Sequence, residues 1–91
     1  MYTLHWTAYF TRAAKKFAKQ HPELKKNLAE ILRDLEEDPF QPHLDLHSLG
    51  GKLKDIKAVS LTYKYRIVLT VIVTDKEVTL LDIGSHDEVY R

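Results

Sequence analysis

The spacing of apolar residues changes period once along this chain, and that change limits the fold more than any other feature. From Ala8 to Leu35 apolar side chains recur at helical intervals, and from Lys57 to Ile83 they follow strand-like patterns. In the first stretch Phe10, Ala13, Ala14, Phe17 and Ala18 share one helical face, with Arg12, Lys15, Lys16 and Lys19 opposite. Thr7 stands where an N-cap belongs. His21-Pro22 interrupts the pattern, because proline fixes φ and lacks the amide donor of a helix interior, yet suits the first turn of a new helix. Leu24, Leu28, Ile31 and Leu35, widened by Leu32, form a second stripe that stops at Glu36-Glu37-Asp38-Pro39. Two helices joined this tightly are expected to lie antiparallel and share one apolar surface.

Strand signals flank them. Tyr2 to Trp6 reads as a first strand. Phe40 to Leu46 reads as a loop containing Pro42, and Gly50-Gly51 marks a turn. Lys57 to Thr62 alternates, with Val59 and Leu61 on one face and Ala58, Ser60 and Thr62 on the other. Tyr65 to Thr74 is a long β-branched strand, Thr74-Asp75-Lys76 a hairpin tip, and Val78 to Ile83 the return strand, ended by Gly84. The order predicts an α+β fold: an N-terminal strand, a helical hairpin, then an antiparallel three-stranded meander, with the helices on one face of the sheet and Arg66 on the other. That second face shows Arg66, Val68, Thr70 and Ile72, which is apolar enough to predict a cover, either the C-terminal segment or a partner chain.

A length of 91 residues leaves room for one domain, 1–91, and no second core. The absence of cysteine excludes a disulfide framework and thiolate metal sites, and suits a reducing compartment such as the cytoplasm. The N-terminal Met-Tyr-Thr-Leu-His-Trp lacks the basic and apolar regions of a signal peptide, and the longest apolar run, Ile67 to Val73, is too short for a membrane span. A net charge of +1 identifies no partner, but its distribution is informative. Lys52, Lys54, Lys57, Lys64 and Arg66 face only Asp45 and Asp55 in the middle of the chain, a local bias toward an anionic ligand.

Four segments carry candidate chemistry: His47-Ser48-Leu49-Gly50-Gly51-Lys52-Leu53-Lys54, Tyr65-Arg66-Ile67, Ile83-Gly84-Ser85-His86 and Asp87-Glu88-Val89-Tyr90. Together, and in this order, they resemble the RelE/ParE superfamily of bacterial toxins, closest to its RelE and YafQ-like branch. The resemblance implies a RelE-like fold and a ribosome-dependent mRNA endonuclease that needs neither metal nor cofactor. It implies as partners a cognate antitoxin, the ribosome and mRNA, with operator DNA bound only through the antitoxin complex and no membrane. Two other readings stay open: a ParE-type inhibitor of DNA gyrase, and a decayed toxin that only binds its antitoxin.

Cleavage of RNA by its own 2′-hydroxyl requires that one proton be taken, another given, and added negative charge be stabilised. An arginine fork suits the phosphate, and histidine, with an ordinary pKa of ~6.5, suits the proton transfers. Arg66, His86 and His47 are therefore the candidate catalytic residues. Lys52, Lys54, Ser60 and Tyr90 are candidates for RNA binding, Tyr90 through its ring by stacking or through its hydroxyl by orientation. The sequence departs from the family pattern where RelE-type lysines fall at Ala58 and Ser60, and where a YafQ-type histidine and aspartate fall at Ser60 and Lys64. His43 and His47, four residues apart, would suit a metal only on a helix; Pro42 and the nearby glycines argue for a loop, and no third ligand is evident.

Overall fold

The structure, a computed structural model, describes residues 1–53 and 55–89, the side chain of Lys52 excepted. Strand β1 (Thr3–Trp6) leads into helix α1 (Ala8–Gln20), a single 3-10 turn (Pro22–Leu24) and helix α2 (Lys25–Glu37). A second 3-10 turn (Pro42–Leu44) precedes β2 (His47–Ser48), β3 (Lys57–Ser60), β4 (Tyr65–Ile72), β5 (Glu77–Ser85) and a short helix α3 (His86–Val89). Among the described residues no helix is long and apolar enough to cross a membrane.

Thr7 caps α1 as its position predicts: its Oγ1 accepts the Phe10 amide at 3.0 Å. The same hydroxyl donates to the Leu80 carbonyl at 2.8 Å, which fixes the start of the helix to β5. Phe10, Ala14 and Phe17 of α1 and Leu28 and Leu35 of α2 then enter one core with Val59, Leu61, Ile67, Leu69, Val78, Leu80 and Ile83 of the sheet side. Pro22 sits at the head of the 3-10 turn and separates the two helices where the sequence places the break.

The sheet has five strands in the order β1-β5-β4-β3-β2. Three of its four pairings are antiparallel, but β1 lies parallel to β5, pairing Thr3 with Glu77 and Trp6 with Leu80. The expected meander is thus the centre of a larger, mixed sheet. The helices provide the crossover that a parallel pair requires, and β1 closes the edge that β5 would otherwise leave open. On the far edge His47 and Ser48 pair with Ala58 and Lys57, so a two-residue strand lies between the expected loop and the Gly50-Gly51 turn. Gly50 and Gly51 do hold the turn, at φ +84° and +56°.

A bulge in β5 decides which side chains face the core. Leu69 pairs with Leu80 and Val68 with Asp82, so Leu81 has no partner. Strict alternation from Val78 and Leu80 would turn Asp82 inward. The extra residue turns Ile83 inward instead, where it is buried. The expectation of a partly apolar outer face divides: Val68 is only 6% exposed, whereas Ile72 is 46% exposed near the hairpin tip. Gly84 does not end the strand as expected. It lies within β5, where a Cβ would sit 3.2 Å from Glu88 Oε1 and 3.4 Å from Val89 Cγ1, so it admits α3 at close quarters.

Candidate active site

Tyr65 and Arg66 open β4 and face opposite sides of the sheet. The Tyr65 ring packs inward, edge-on to Phe17 at 5.0 Å and against His21 at 4.8 Å. Arg66 consequently projects from the outer face, in register with Ser60 on β3 and Gly84 on β5. Its Nη1 donates to the carbonyls of Thr62, Tyr63 and Tyr65 at 2.7, 2.9 and 3.1 Å. One nitrogen therefore clamps the β3–β4 loop. The rest of the fork has no hydrogen-bond partner among the described residues. Asp82, which pairs with Val68 further along β4, accepts the Ile83 amide at 2.8 Å.

His86 follows β5 directly and begins α3. Its amide donates to the Lys64 carbonyl at 3.1 Å, which fastens it to the clamped loop. Around it Ser85 and Glu88 form a reciprocal capping box: Ser85 Oγ accepts the Glu88 amide at 3.3 Å, and Glu88 Oε1 accepts the Ser85 amide at 2.9 Å. The His86 ring lies 3.6 Å from Asp87 Oδ1 and is largely exposed. Tyr63, Lys64, Arg66, Ser85, His86 and Asp87 line one open groove of about 650 Å³.

The structure therefore brings together Arg66 and His86, with Ser60 beside Arg66 on the same face. His47 stands apart. It pairs with Ala58 on the edge strand, and its Nδ1 lies 2.8 Å from the Asp45 carbonyl. At roughly 4.8 Å per strand and 3.4 Å per residue, the register puts the His47 and Arg66 Cα atoms about 12 Å apart. Lys54, Tyr90 and the side chain of Lys52 lie outside the described residues. His43 turns to α2, with Nε2 2.8 Å from Asp34 Oδ2, and is separated from His47 by a left-handed Asp45 at φ 51°. No group of three histidine or acidic side chains placed to hold a metal ion occurs among the described residues.

Two of the substituted family positions acquire structural content. Ala58 is fully buried, so this position adds nothing polar to the outer face. Lys64, where a YafQ-type aspartate would fall, lines the groove and places its ammonium 5.5 Å from the Tyr65 ring centre. Reasoning from the residues alone passed over Tyr63 and the capping box. The box was legible, because Ser85-x-x-Glu88 is the N-terminal signature of a helix.

Fold and groove together define a small α+β domain with an arginine and a histidine at one end of its sheet. No family model matches the chain. Over 91 residues, all of this chain and 93% of the relative, it is 30% identical to RelE4 of Methanocaldococcus jannaschii, a protein named as a toxin. A metal-bound toxin from Helicobacter pylori superposes with a TM-score of 0.78 at 28% identity, covering 98% of this chain and 99% of that one. YafQ from Escherichia coli superposes over 100% of both chains with a TM-score of 0.80 at 13% identity, and its fold recurs in the DinJ-YafQ complex at 0.72 and 16%. The chain belongs to the RelE/ParE superfamily of type II toxin–antitoxin toxins.

Proposed function

We propose that this toxin cuts mRNA on the ribosome without a metal, using the 2′-hydroxyl of the RNA as nucleophile. The observation that carries the reading is the shared groove: the unbonded part of the Arg66 fork and the His86 ring open into the same space. In the proposed step the 2′-oxygen bonds to phosphorus as the bond to the 5′-oxygen breaks, leaving a cyclic phosphate. Arg66 holds the phosphate and gains most as charge builds on its oxygens. His86 gives a proton to the departing 5′-oxygen. His47, on the same outer face, takes the proton from the attacking 2′-hydroxyl of the RNA chain, with the phosphate seated over Ser60 between it and Arg66. Lys52, Lys54 and Tyr90 are assigned to holding that chain.

The partners proposed are the ribosome, mRNA and a cognate antitoxin, with operator DNA bound through the toxin–antitoxin complex. The site of action is the cytoplasm. Support for an antitoxin comes from the shared fold of YafQ in the DinJ-YafQ complex. Expressing the chain alone should arrest growth and truncate transcripts within codons, as mapped by primer extension. Arg66→Ala and His86→Ala should relieve both effects. Growth arrest with intact transcripts and blocked DNA replication would instead establish gyrase inhibition.

A further inference from the structure

Tyr63 is 97% exposed, the most exposed large apolar side chain among the described residues. Such exposure on a loose loop would mean little. This loop is fastened at almost every polar group. The Leu61 amide donates to the Tyr65 carbonyl at 3.0 Å, and the Thr62 hydroxyl accepts the amides of Lys64 and Tyr65, each at 3.3 Å. Arg66 holds the carbonyls on either side, including that of Tyr63 itself at 2.9 Å, and the His86 amide holds that of Lys64. The backbone is thus fixed while the ring of Tyr63 stands in solvent, on the rim of the groove that Arg66 and His86 share.

We infer that Tyr63 is a stacking platform for an unpaired RNA base next to the phosphate held by Arg66. The inference rests on the proposed nuclease reading and adds a substrate contact to it. Every nucleobase offers a π-face, so an exposed ring on a fixed backbone beside a cationic groove suits single-stranded RNA. The shared hydrogen bond makes the pairing geometric: the guanidinium that would hold a phosphate also holds the backbone carbonyl of Tyr63, so the root of the ring is fixed beside the phosphate site. Lys64, between them, adds positive charge to the rim.

The test is the affinity of the purified chain for a short single-stranded RNA carrying one 2-aminopurine, followed by anisotropy and by quenching of that base. Tyr63→Ala should weaken binding about 5- to 150-fold, the range for loss of one aromatic stack, and abolish the quenching. Tyr63→Phe should preserve both, because stacking needs the ring and not the hydroxyl. The salt dependence should stay that of the wild type in Tyr63→Ala, whereas Arg66→Ala should lower its slope by about 0.7 through loss of one phosphate contact. If Tyr63→Ala binds and quenches like the wild type while Arg66→Ala loses affinity, the stacking role is overturned and the nuclease reading stands. Equal losses in the Phe and Ala variants would overturn stacking in favour of a hydroxyl contact. RNA binding that is absent, or unaffected in both Tyr63→Ala and Arg66→Ala, would overturn the two together.

Discussion

The amide of His86 donates to the carbonyl of Lys64 at 3.1 Å, which joins the head of α3 to the loop that Arg66 clamps from the other side. The two side chains proposed to act on RNA are therefore positioned through the one four-residue loop between β3 and β4, although twenty positions separate them in the sequence. Moving either should disturb the other.

Arg66→Lys distinguishes charge from geometry. A lysine keeps the positive charge but cannot bond the carbonyls of Thr62, Tyr63 and Tyr65 and still present a planar fork. Single-turnover cleavage on programmed ribosomes should fall about 100- to 1000-fold, as for loss of a donor to a developing charge. Cleavage at the wild-type rate would show that positive charge alone suffices at this position and that the geometry of the fork is not used.

The capping box should affect activity without affecting global stability. None of the residues of α3 is buried, so loosening it exposes little of the core. Ser85→Ala should cost about 1 kcal/mol, felt locally as faster amide exchange at Glu88. Cleavage should drop severalfold while the urea midpoint barely moves. Gly84→Val should act more strongly by the same route, since its side chain would press on Glu88 and Val89. An unchanged cleavage rate in both variants would show that the seat of His86 does not depend on α3.

Much of this architecture was legible because the apolar pattern is unambiguous where the core is built. Phe10, Ala14 and Phe17 repeat at helical spacing and are all buried, and Thr7 caps the helix they lie on. What the pattern could not supply was strand partnership. Nothing in Thr3 to Trp6 says that it lies parallel to β5, since that pairing depends on a crossover through both helices. The bulge was hidden for a related reason: Leu80-Leu81-Asp82-Ile83 fits two alternations, and only packing against the helices selects the one that buries Ile83. At the site, Arg66 and His86 were found from residue type and family order. Tyr63 was not, because an exposed aromatic acquires meaning only once its loop is known to be fixed.

The core leucines should be unequal only modestly. Leu35 is fully buried and Leu28 is 8% exposed, both in the same cluster. Truncation of either to alanine should cost about 2–5 kcal/mol, with Leu35 toward the upper end because its site is more completely enclosed. Urea unfolding of the two variants measures this. A cost below about 1 kcal/mol at Leu35 would mean that α2 is not part of the cooperative core.

Thr7 joins local and tertiary structure through one oxygen. It accepts from the Phe10 amide and donates to the Leu80 carbonyl, so its removal leaves a helix donor and a strand acceptor without their partner. Thr7→Ser retains the hydroxyl and should lose only the packing of one methyl group. Thr7→Ala and Thr7→Val should each cost about 1–2 kcal/mol, since a side chain of the same shape cannot replace the two hydrogen bonds. The loss should appear as a lower urea midpoint with an unchanged slope, because both variants still bury the same surface on folding. If Val proved as stable as Thr, shape alone would account for this position, and the hydroxyl would not be what holds α1 to β5.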